Sequence, residues 1–287
     1  MILDVHVDIV DGKKRKVLCD IAKGAENAGF KVNFVSSPLI NSDNYSLLWR
    51  YPNKGEYYLE NIIKQKDSSK LFFVNSNYFK TYRKNNNQRS IFGNDYYRIM
   101  WKSIYDNDGI YPNKPSDLVD RFYSDHIFDI KPWKSGGDTI FLIPNKVGTF
   151  GRNGLNVQEW INRQIKSCHD AGYTKIVVKI HPNGGAISIP RQVQVEEGKI
   201  LTAFKKHDAK FAILYNSGAC TECLIEGIPI FVQGPNSPAR EFSNMQNLSH
   251  IRYDVNREQY VKEAAKKMWH IQDIMNGLPW INLREKL

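Results

Sequence analysis

A polar turn in the second half of the chain, Ser217-Gly218, has the residue types and the position expected of an anion site. It follows an apolar run, 211–215, and precedes a segment with helical spacing, 219–226. The first N–H groups of a helix and the positive end of its dipole attract phosphate, and a glycine lets the ligand approach the backbone. Glu222 follows Ser217 by about one and a third helical turns, which brings ribose hydroxyls within reach. These residues predict a nucleotide site, although Glu222 alone is equally explained as a solvated helix residue.

A second polar cluster, His181 to Gly185, follows the apolar run 175–180 and contains His181 and Asn183. His181 can give the same anion a hydrogen bond or a positive charge. Ligands of parallel sheets lie at the carboxyl ends of the strands, and both clusters fall at such an end. Each motif also has a simpler interpretation, because His-Pro is common in turns and Ser-Gly is an ordinary helix cap.

The loop 144–154 supplies a third set of candidate ligands after the apolar run 139–143. Its glycines, with Lys146 and Arg152, can surround the phosphates of a nucleotide. The spacing is neither that of a Walker loop nor that of the dinucleotide fingerprint. The predicted nucleotide-binding residues are therefore Lys146, Arg152, His181, Asn183, Asn216, Ser217, Gly218 and Glu222.

The order of these motifs resembles the carboxyl-terminal half of glycosyltransferases of the GT-B type that have a His-Pro motif, such as Kdo and sialic acid transferases. The matching residues are Lys-Ile-His181-Pro182 and Asn216-Ser217-x4-Glu222-x4-Gly227-x-Pro229.

The segments 141–152, 217–229 and 269–280 are more closely similar to bacteriophage glycosyltransferases that modify hydroxymethylated pyrimidines in DNA, the arabinosyltransferase-like group. This similarity covers about residues 121–284, and the first hundred residues match only in general architecture.

The resemblance implies an α/β fold of the GT-B type, with two Rossmann-like half-domains that face a central cleft and a C-terminal helix that crosses back. The corresponding domains are an acceptor (DNA) domain at 1–133, a nucleotide-sugar domain at 134–268 and a crossover tail at 269–287. The resemblance further implies that Trp269 and Trp280 brace the two halves.

The implied activity is transfer of a sugar from a UDP- or CMP-sugar to the hydroxymethyl group of 5-hydroxymethylcytosine in phage DNA, which protects the DNA from host nucleases. The nucleotide-sugar is a substrate, and neither a cofactor nor a metal is implied. Two alternatives remain open: a glycosyltransferase with a polysaccharide or small-molecule acceptor, and a non-catalytic nucleic-acid-binding protein of the same fold.

An inverting transfer needs a side chain that takes the acceptor proton from within about 3 Å. The candidates are Asp8 at the end of the first predicted strand, then His6 and Asp95. Asp8 is equally explained as a polar residue on an exposed strand face or as the cap of the next turn.

The chain is basic, with 40 Lys and Arg against 30 Asp and Glu, a net charge of +10 and a pI near 9.3. Two clusters concentrate this charge. They are Lys13, Lys14, Arg15 and Lys16, and Arg83, Lys84 and Arg89 with amides and aromatic residues around them. Such residues neutralise phosphates and stack on an unpaired base, which predicts a polyanion or an anionic substrate as partner. The resemblance implies that this partner is double-stranded DNA with hydroxymethylated bases. A solvated loop and the Lys- and Asn-rich composition of A·T-rich genomes explain the same pattern.

The 287 residues include no apolar run of about 20 residues that would span a bilayer, so we expect a soluble, cytoplasmic protein. We also expect a monomer without a membrane partner. The four cysteines are few for this length, which suits a reducing compartment. Cys220-x-x-Cys223 lies within a predicted helix and has no second pair at zinc-site spacing, so it predicts two packed thiols.

The amino-terminal part predicts a β-α-β unit, with strands at 2–10 and 31–36 and a helix at 17–28. Two further segments have helical spacing. They are 98–105, and a long one that begins at Asp254 or Asn256 and extends to Met275.

Overall fold

The structure is a computed structural model that describes residues 1–7, 12–36, 41–49, 57–82, 95–103, 109–126, 128–152, 154–181, 187–235, 237–244 and 247–287, with only the backbone at 57–59, 80, 148–149 and 152. Several predicted site residues lie outside the described part: Asp8, Arg83, Lys84, Arg89 and Asn183. The chain forms two compact units. The first unit comprises Met1–Ile127 and Lys262–Leu287, and the second unit is Phe128–Val261.

The strands, in chain order, are β1 (Ile2–His6), β2 (Lys31–Val35), β3 (Tyr45–Trp49), β4 (Leu71–Ser76), β5 (Tyr96–Trp101), β6 (Thr139–Ile143), β7 (Ile176–Lys179), β8 (Gln194–Glu196), β9 (Ala209–Leu214), β10 (Ile230–Val232) and β11 (Trp269–His270). The helices are α1 (Gly12–Asn27), α2 (Tyr57–Gln65), α3 (Ser116–Asp125), α4 (Val147–Arg152), α5 (Val157–Asp170), α6 (Ile200–Lys206), α7 (Cys220–Ile225), α8 (Arg257–Lys266), α9 (Ile271–Met275) and α10 (Leu278–Arg284).

The first unit is built on a six-stranded sheet in the order β11-β5-β4-β3-β1-β2. The pairs that join β2, β1, β3 and β4 are parallel, while β5 is antiparallel to β4 and to β11. Helix α1 packs its buried residues Val17, Leu18 and Ile21 into the core of this unit. Position 24 must be a glycine, because a Cβ there would lie 1.7 Å from the carbonyl oxygen of Ile274.

The second unit contains a five-stranded sheet in the order β10-β9-β6-β7-β8, in which every pair is parallel. Apolar residues fill both faces of its central strand β6, as expected for a strand covered on both sides. Helix α5 begins at Asn156, whose side-chain oxygen accepts hydrogen bonds from the N–H groups of Gln158 and Glu159. Parallel strands alternate with helices here, so the predicted α/β class is confirmed.

The helix predicted at 98–105 is wrong. Residues Tyr96–Trp101 form β5, and all six are buried. A strand that packs on both faces has no polar residue every second position, so its sequence lacks the alternation that distinguishes a strand from a buried helix.

The long helix predicted from 254 or 256 to 275 is also wrong in its second half. Helix α8 ends at Lys266, β11 then pairs with β5, and α9 starts after His270. The His270 side chain accepts a hydrogen bond from the N–H of Gln272 and so caps α9. Pairing with a strand distant in sequence interrupts a segment whose own period is helical.

The two tryptophans assigned to a crossover tail, Trp269 and Trp280, both lie in the core of the first unit. The ring of Trp280 contacts those of Phe30 and Phe72, with centroids 5.6 and 5.2 Å apart. The domain boundaries and domain roles derived from the resemblance stay predictions.

Candidate functional site

The sheet of the second unit reverses its strand order between β6 and β9. From β6 the chain proceeds to β7 and β8 on one side, and then returns to place β9 and β10 on the other side. In open α/β sheets the ligand lies outside the carboxyl ends of the strands at such a reversal. Residues 144–146 and 215–218 follow β6 and β9, so this edge is the candidate donor site.

A hydrogen bond joins the two loops at this edge. The backbone N–H of Asn216 donates to the side-chain oxygen of Asn145 at 2.8 Å. The side-chain oxygen of Asn216 is buried and has no hydrogen-bond partner among the described residues. Buried acceptors of this kind normally pair with protein, water or ligand. The side-chain oxygen of Asn216 can therefore accept one more hydrogen bond.

Gly234, which follows β10, lets the chain pass close to Asn216. A Cβ at position 234 would lie 1.9 Å from the side-chain oxygen of Asn216 and 2.7 Å from the carbonyl oxygen of Tyr215. Both contacts are far inside van der Waals distance, so only glycine fits without displacing Asn216. Sequence reasoning missed both Asn145 and Gly234, although their positions directly after apolar strands were a usable signal.

The turn at Ser217-Gly218 precedes α7, but the helix begins at Cys220 and has six residues. Three N–H groups of this turn already have acceptors in the chain. Those of Cys220 and Thr221 donate to the carbonyl oxygens of Ser217 and Gly218, and that of Ala219 donates to Ser217 Oγ at 3.3 Å. Gly218 is exposed, with open space around the position of a Cβ. The turn is therefore open to a ligand at Gly218, while fewer N–H groups are available than a bare helix start would offer.

Glu222 lies within α7 and is only 8 % exposed. The alternative of a solvated helix residue is therefore wrong for this carboxylate. On the same helix, Thr221 Oγ1 and the hydroxyl of Tyr260 are 2.5 Å apart. Thr221 and Glu222 are therefore polar residues buried within the packing of α7. An ionised carboxylate in such surroundings is costly unless it is hydrogen-bonded or paired.

The remaining donor candidates lie on β6 and its neighbour β7. Lys146 follows β6 and His181 follows β7, and both are half-buried. The carboxyl ends of β7 and β9 are separated by β6 alone, so about 10 Å lies between them. The structure thus brings His181, Lys146 and Ser217 to one edge of one sheet.

The glycine-rich loop predicted at 144–154 is in part helix α4, whose last residue is Arg152. The ring of Phe150 in this helix stacks on Tyr215, with centroids 4.7 Å apart. The aromatic contact ties α4 to the loop after β9. The segment predicted as a loop is thus helical from Val147 to Arg152, and its role in phosphate binding stays a prediction.

The cysteines of α7 are buried, and burial raises the pKa of Cys220 to about 12. Both groups therefore remain thiols at neutral pH. Within the part of the chain that the structure describes, no three His, Cys, Asp or Glu side chains form a group that could hold a metal ion.

The sheet of the first unit reverses its strand order between β1 and β3. His6 ends β1 and is buried, with Nε2 3.1 Å from Ser46 Oγ. Burial is the main cause that lowers the pKa of His6 to about 4. The imidazole is therefore neutral throughout the physiological range.

Asp95 lies at the same edge, because β5 runs antiparallel to β4 and so starts where β4 ends. Its carbonyl oxygen accepts a hydrogen bond from the N–H of Ile271 at 2.7 Å. Two strands, β3 and β4, separate β5 from β1, which corresponds to about 14 Å between His6 and Asp95. The structure therefore does not bring these two base candidates together.

The basic cluster Lys13–Lys16 forms the start of α1, and no acidic residue lies in that first turn. Lys13, Arg15 and Lys16 are exposed, and Lys16 pairs with Asp20 at 3.1 Å. Cations at the positive end of a helix dipole repel it, and a bound polyanion relieves this repulsion. None of the helices in the described ranges has the length and apolar composition that crossing a bilayer requires.

Comparison with known proteins shows a shared fold. No family model and no curated protein matches the chain. Among solved structures, the KpsC beta Kdo 2,7 transferase of Thermosulfurimonas dismutans matches with a TM-score of 0.50 and 11% identity over 99% of this chain and 100% of that one. The beta Kdo 2,4 transferase of the same organism's KpsC matches with a TM-score of 0.48 and 13% identity over 96% and 97%. The chain therefore has a fold similar to that of a Kdo transferase.

Proposed function

We propose that the protein is a glycosyltransferase that moves a sugar from a UDP- or CMP-sugar to the hydroxymethyl group of 5-hydroxymethylcytosine in phage DNA, where the sugar protects the DNA from host nucleases. The observation that carries the proposal is the strand reversal at β6 and β9, where candidate ligands for a nucleotide meet at the carboxyl edge. The shared fold with a Kdo transferase supports the reaction class.

In this proposal the second unit binds the donor. Lys146, His181 and the turn at Gly218 lie along one edge and stabilise the negative charge that develops on the departing nucleotide. Arg152 and Asn183 are predicted to add to this set. Asn216 contributes a buried acceptor that can take a hydrogen bond from a hydroxyl or amino group of the nucleotide.

The first unit binds the acceptor. Its own sheet has a strand reversal at β1 and β3, and the basic start of α1 follows β1 in the chain. Lys13, Lys14, Arg15 and Lys16 hold the DNA backbone, with Arg83, Lys84 and Arg89 as the second predicted group. A base that must be enclosed for transfer would be extruded from the duplex. Asp8 is the first candidate to accept the proton of the acceptor hydroxyl, followed by His6 and Asp95.

The direct test is incubation of the purified protein with duplex DNA that contains 5-hydroxymethylcytosine and with a panel of UDP- and CMP-sugars, followed by mass spectrometry of the nucleosides. A hexose or pentose adduct on hydroxymethylcytosine, absent from a cytosine duplex of the same sequence, is expected. If no adduct forms although the nucleotides raise the melting temperature, the DNA acceptor is wrong. If no nucleotide binds, the transferase itself is wrong and a non-catalytic nucleic-acid-binding protein is favoured.

A second candidate is transfer to a polysaccharide or small-molecule acceptor. The similarity to a structure described as a beta Kdo 2,7 transferase favours it. The same donor panel with oligosaccharide acceptors separates the two candidates.

A further inference from the structure

Five buried polar residues form a hydrogen-bonded network at β1 and β3, the two strands at which the first sheet reverses its order. They are Asp4, His6, Asn44, Ser46 and Lys66. Asp4 and His6 are two residues apart on β1, so their side chains project from the same face of the sheet. Leu3 and Val5 project from the other face into the core.

Lys66 and Asp4 are the charged ends of this network. Lys66 Nζ donates to Ser46 Oγ at 2.8 Å and to the carbonyl oxygen of Asn44. The side-chain amide of Asn44 donates in turn to both carboxylate oxygens of Asp4 at 3.1 Å. The side chain of Asn33 donates to the same carboxylate. Buried charges are tolerated when they are hydrogen-bonded in this way.

The hydroxyl of Ser46 determines where the proton of His6 lies. Among the described residues, Ser46 Oγ has two hydrogen-bonding neighbours, Lys66 Nζ and His6 Nε2. An ammonium group can only donate, so the hydroxyl proton of Ser46 has one acceptor available, the Nε2 atom of His6. Nε2 must then be unprotonated, and the single proton of the neutral imidazole lies on Nδ1.

The electrostatic environment agrees with this assignment. Burial is the main cause that lowers the pKa of His6 to about 4. The charge of Asp4 acts in the opposite direction, and that of Lys66 lowers the pKa further. Burial also lowers the pKa of Lys66, which Asp4 raises and Lys70 lowers.

We infer that Lys66 and Ser46 are positioning residues that hold His6 as a hydrogen-bond donor through Nδ1–H, and that His6 is not the base that removes the acceptor proton. The part of the inference that concerns catalysis rests on the proposed function, whereas the tautomer of His6 does not. Nε2 is occupied by Ser46, and Nδ1 carries a proton, so neither nitrogen is free to accept one. Of the three base candidates, Asp8 and Asp95 then remain.

The first test needs no enzymatic activity. Two-bond 1H–15N correlation spectra of protein labelled in histidine distinguish the tautomers, and His6→Asn identifies the signals of His6. We expect the Nδ1–H tautomer and no titration above pH 5. An Nε2–H tautomer, or a pKa near the ordinary 6.5, would overturn the inference.

Two variants test the positioning residues in the same spectra. Ser46→Ala removes the donor to Nε2 and is expected to populate the Nε2–H tautomer. Lys66→Met removes a nearby positive charge and is expected to raise the pKa of His6, whereas Lys23→Met, at an exposed lysine of α1, changes neither property. Unchanged His6 signals in both variants would exclude the role of Ser46 and Lys66.

The second test uses transfer activity. An asparagine can replace Nδ1–H with its own N–H, while a glutamine places its amide nearer the position of Nε2. If His6 is a donor, His6→Asn loses about tenfold in kcat, the scale of one hydrogen bond, and His6→Gln loses more. If it is the base, both variants lose at least about 100-fold and the acidic limb of the pH profile disappears. Absence of transfer in the wild-type protein would count against the proposed function, and the tautomer measurement would still decide this inference.

Discussion

Both sheets reverse their strand order at an interior strand, but the polar groups at the two reversals differ in depth and in chemistry. At β6 and β9 they are the amides of Asn145 and Asn216, the half-buried Lys146 and an exposed glycine turn, all on loops beyond the strands. At β1 and β3 they are ionisable side chains buried within the strands and beneath the edge. Loop groups can adapt to a ligand, whereas a buried charged network fixes one protonation state. The proposed donor site is therefore built from adaptable loop groups, whereas the groups at the strand reversal of the first unit have a fixed environment.

The largest expected effect is at the edge of the second unit. His181→Ala should lower kcat for transfer by about 100-fold or more, because a group that stabilises the leaving phosphate is lost. Steady-state kinetics measure the effect, and circular dichroism checks the fold. The exposed His169 on α5 offers the control His169→Ala, which should transfer normally. Transfer at the wild-type rate by His181→Ala would remove His181 from the donor site.

Substitutions at the basic start of α1 test whether the first unit binds DNA independently of donor binding by the second unit. Replacement of Lys13, Lys14 and Lys16 by Gln should weaken DNA binding by about 30-fold at 0.1 M salt and reduce the salt dependence by about three ions. Fluorescence anisotropy over a salt series measures both. Donor affinity should not change, and neither should DNA binding of a triple variant at the exposed Lys166, Lys175 and Lys206. Equal loss of DNA and donor affinity would show that the start of α1 is structural.

Acid should act on the first unit through His6. Its pKa is lowered to about 4 in the folded protein, so between about pH 6.5 and 4 the unfolded chain binds more protons. Stability from this group is complete above the unfolded pKa and is lost as the pH falls through that range, by about 3 kcal/mol. Urea unfolding at pH 4.5, 5.5 and 6.5 should show a steeper loss for the wild type than for His6→Asn. Parallel curves would indicate that His6 titrates normally.

The smallest effect concerns Gly234. Gly234→Ala should displace the Asn216 side chain and weaken nucleotide binding by about tenfold, the loss of one hydrogen bond. Isothermal titration with the nucleotide that binds the wild type measures it. Gly136→Ala is the matched control, since open space surrounds that position. Unaltered affinity in Gly234→Ala would exclude Asn216 from the nucleotide contacts.

Local sequence patterns predicted the strands of the second unit well. The predicted strand 139–143 coincides with β6, and the run 230–232 is β10, because continuous β-branched and apolar residues between Gly and Pro have few alternatives to a buried strand. Local patterns did not predict β5, because aromatic residues on both of its faces remove the period of two that marks a strand. They also did not predict β11, which forms only because β5 offers it a partner.

The candidate donor residues were predictable as residue types at strand ends. The contacts among the loops were not predictable, because Asn145, Asn216 and Gly234 come from three separate loops. In the first unit, His6 was identified from the sequence. Its network of Asp4, Asn44, Ser46 and Lys66 was not, because these residues come from segments that are distant in sequence.

The sequence by itself determined the alternation of strands and helices and the placement of His181 and Ser217 after apolar strands, because both depend on neighbours along the chain. Only the tertiary structure decided which strands pair, and therefore that the order reverses at β6 and β9 and at β1 and β3. It also decided the proton position on His6, since that depends on a lysine 60 residues away, which the fold brings to Ser46. Strand pairing and protonation are set by contacts between distant segments, for which local periodicity carries no information.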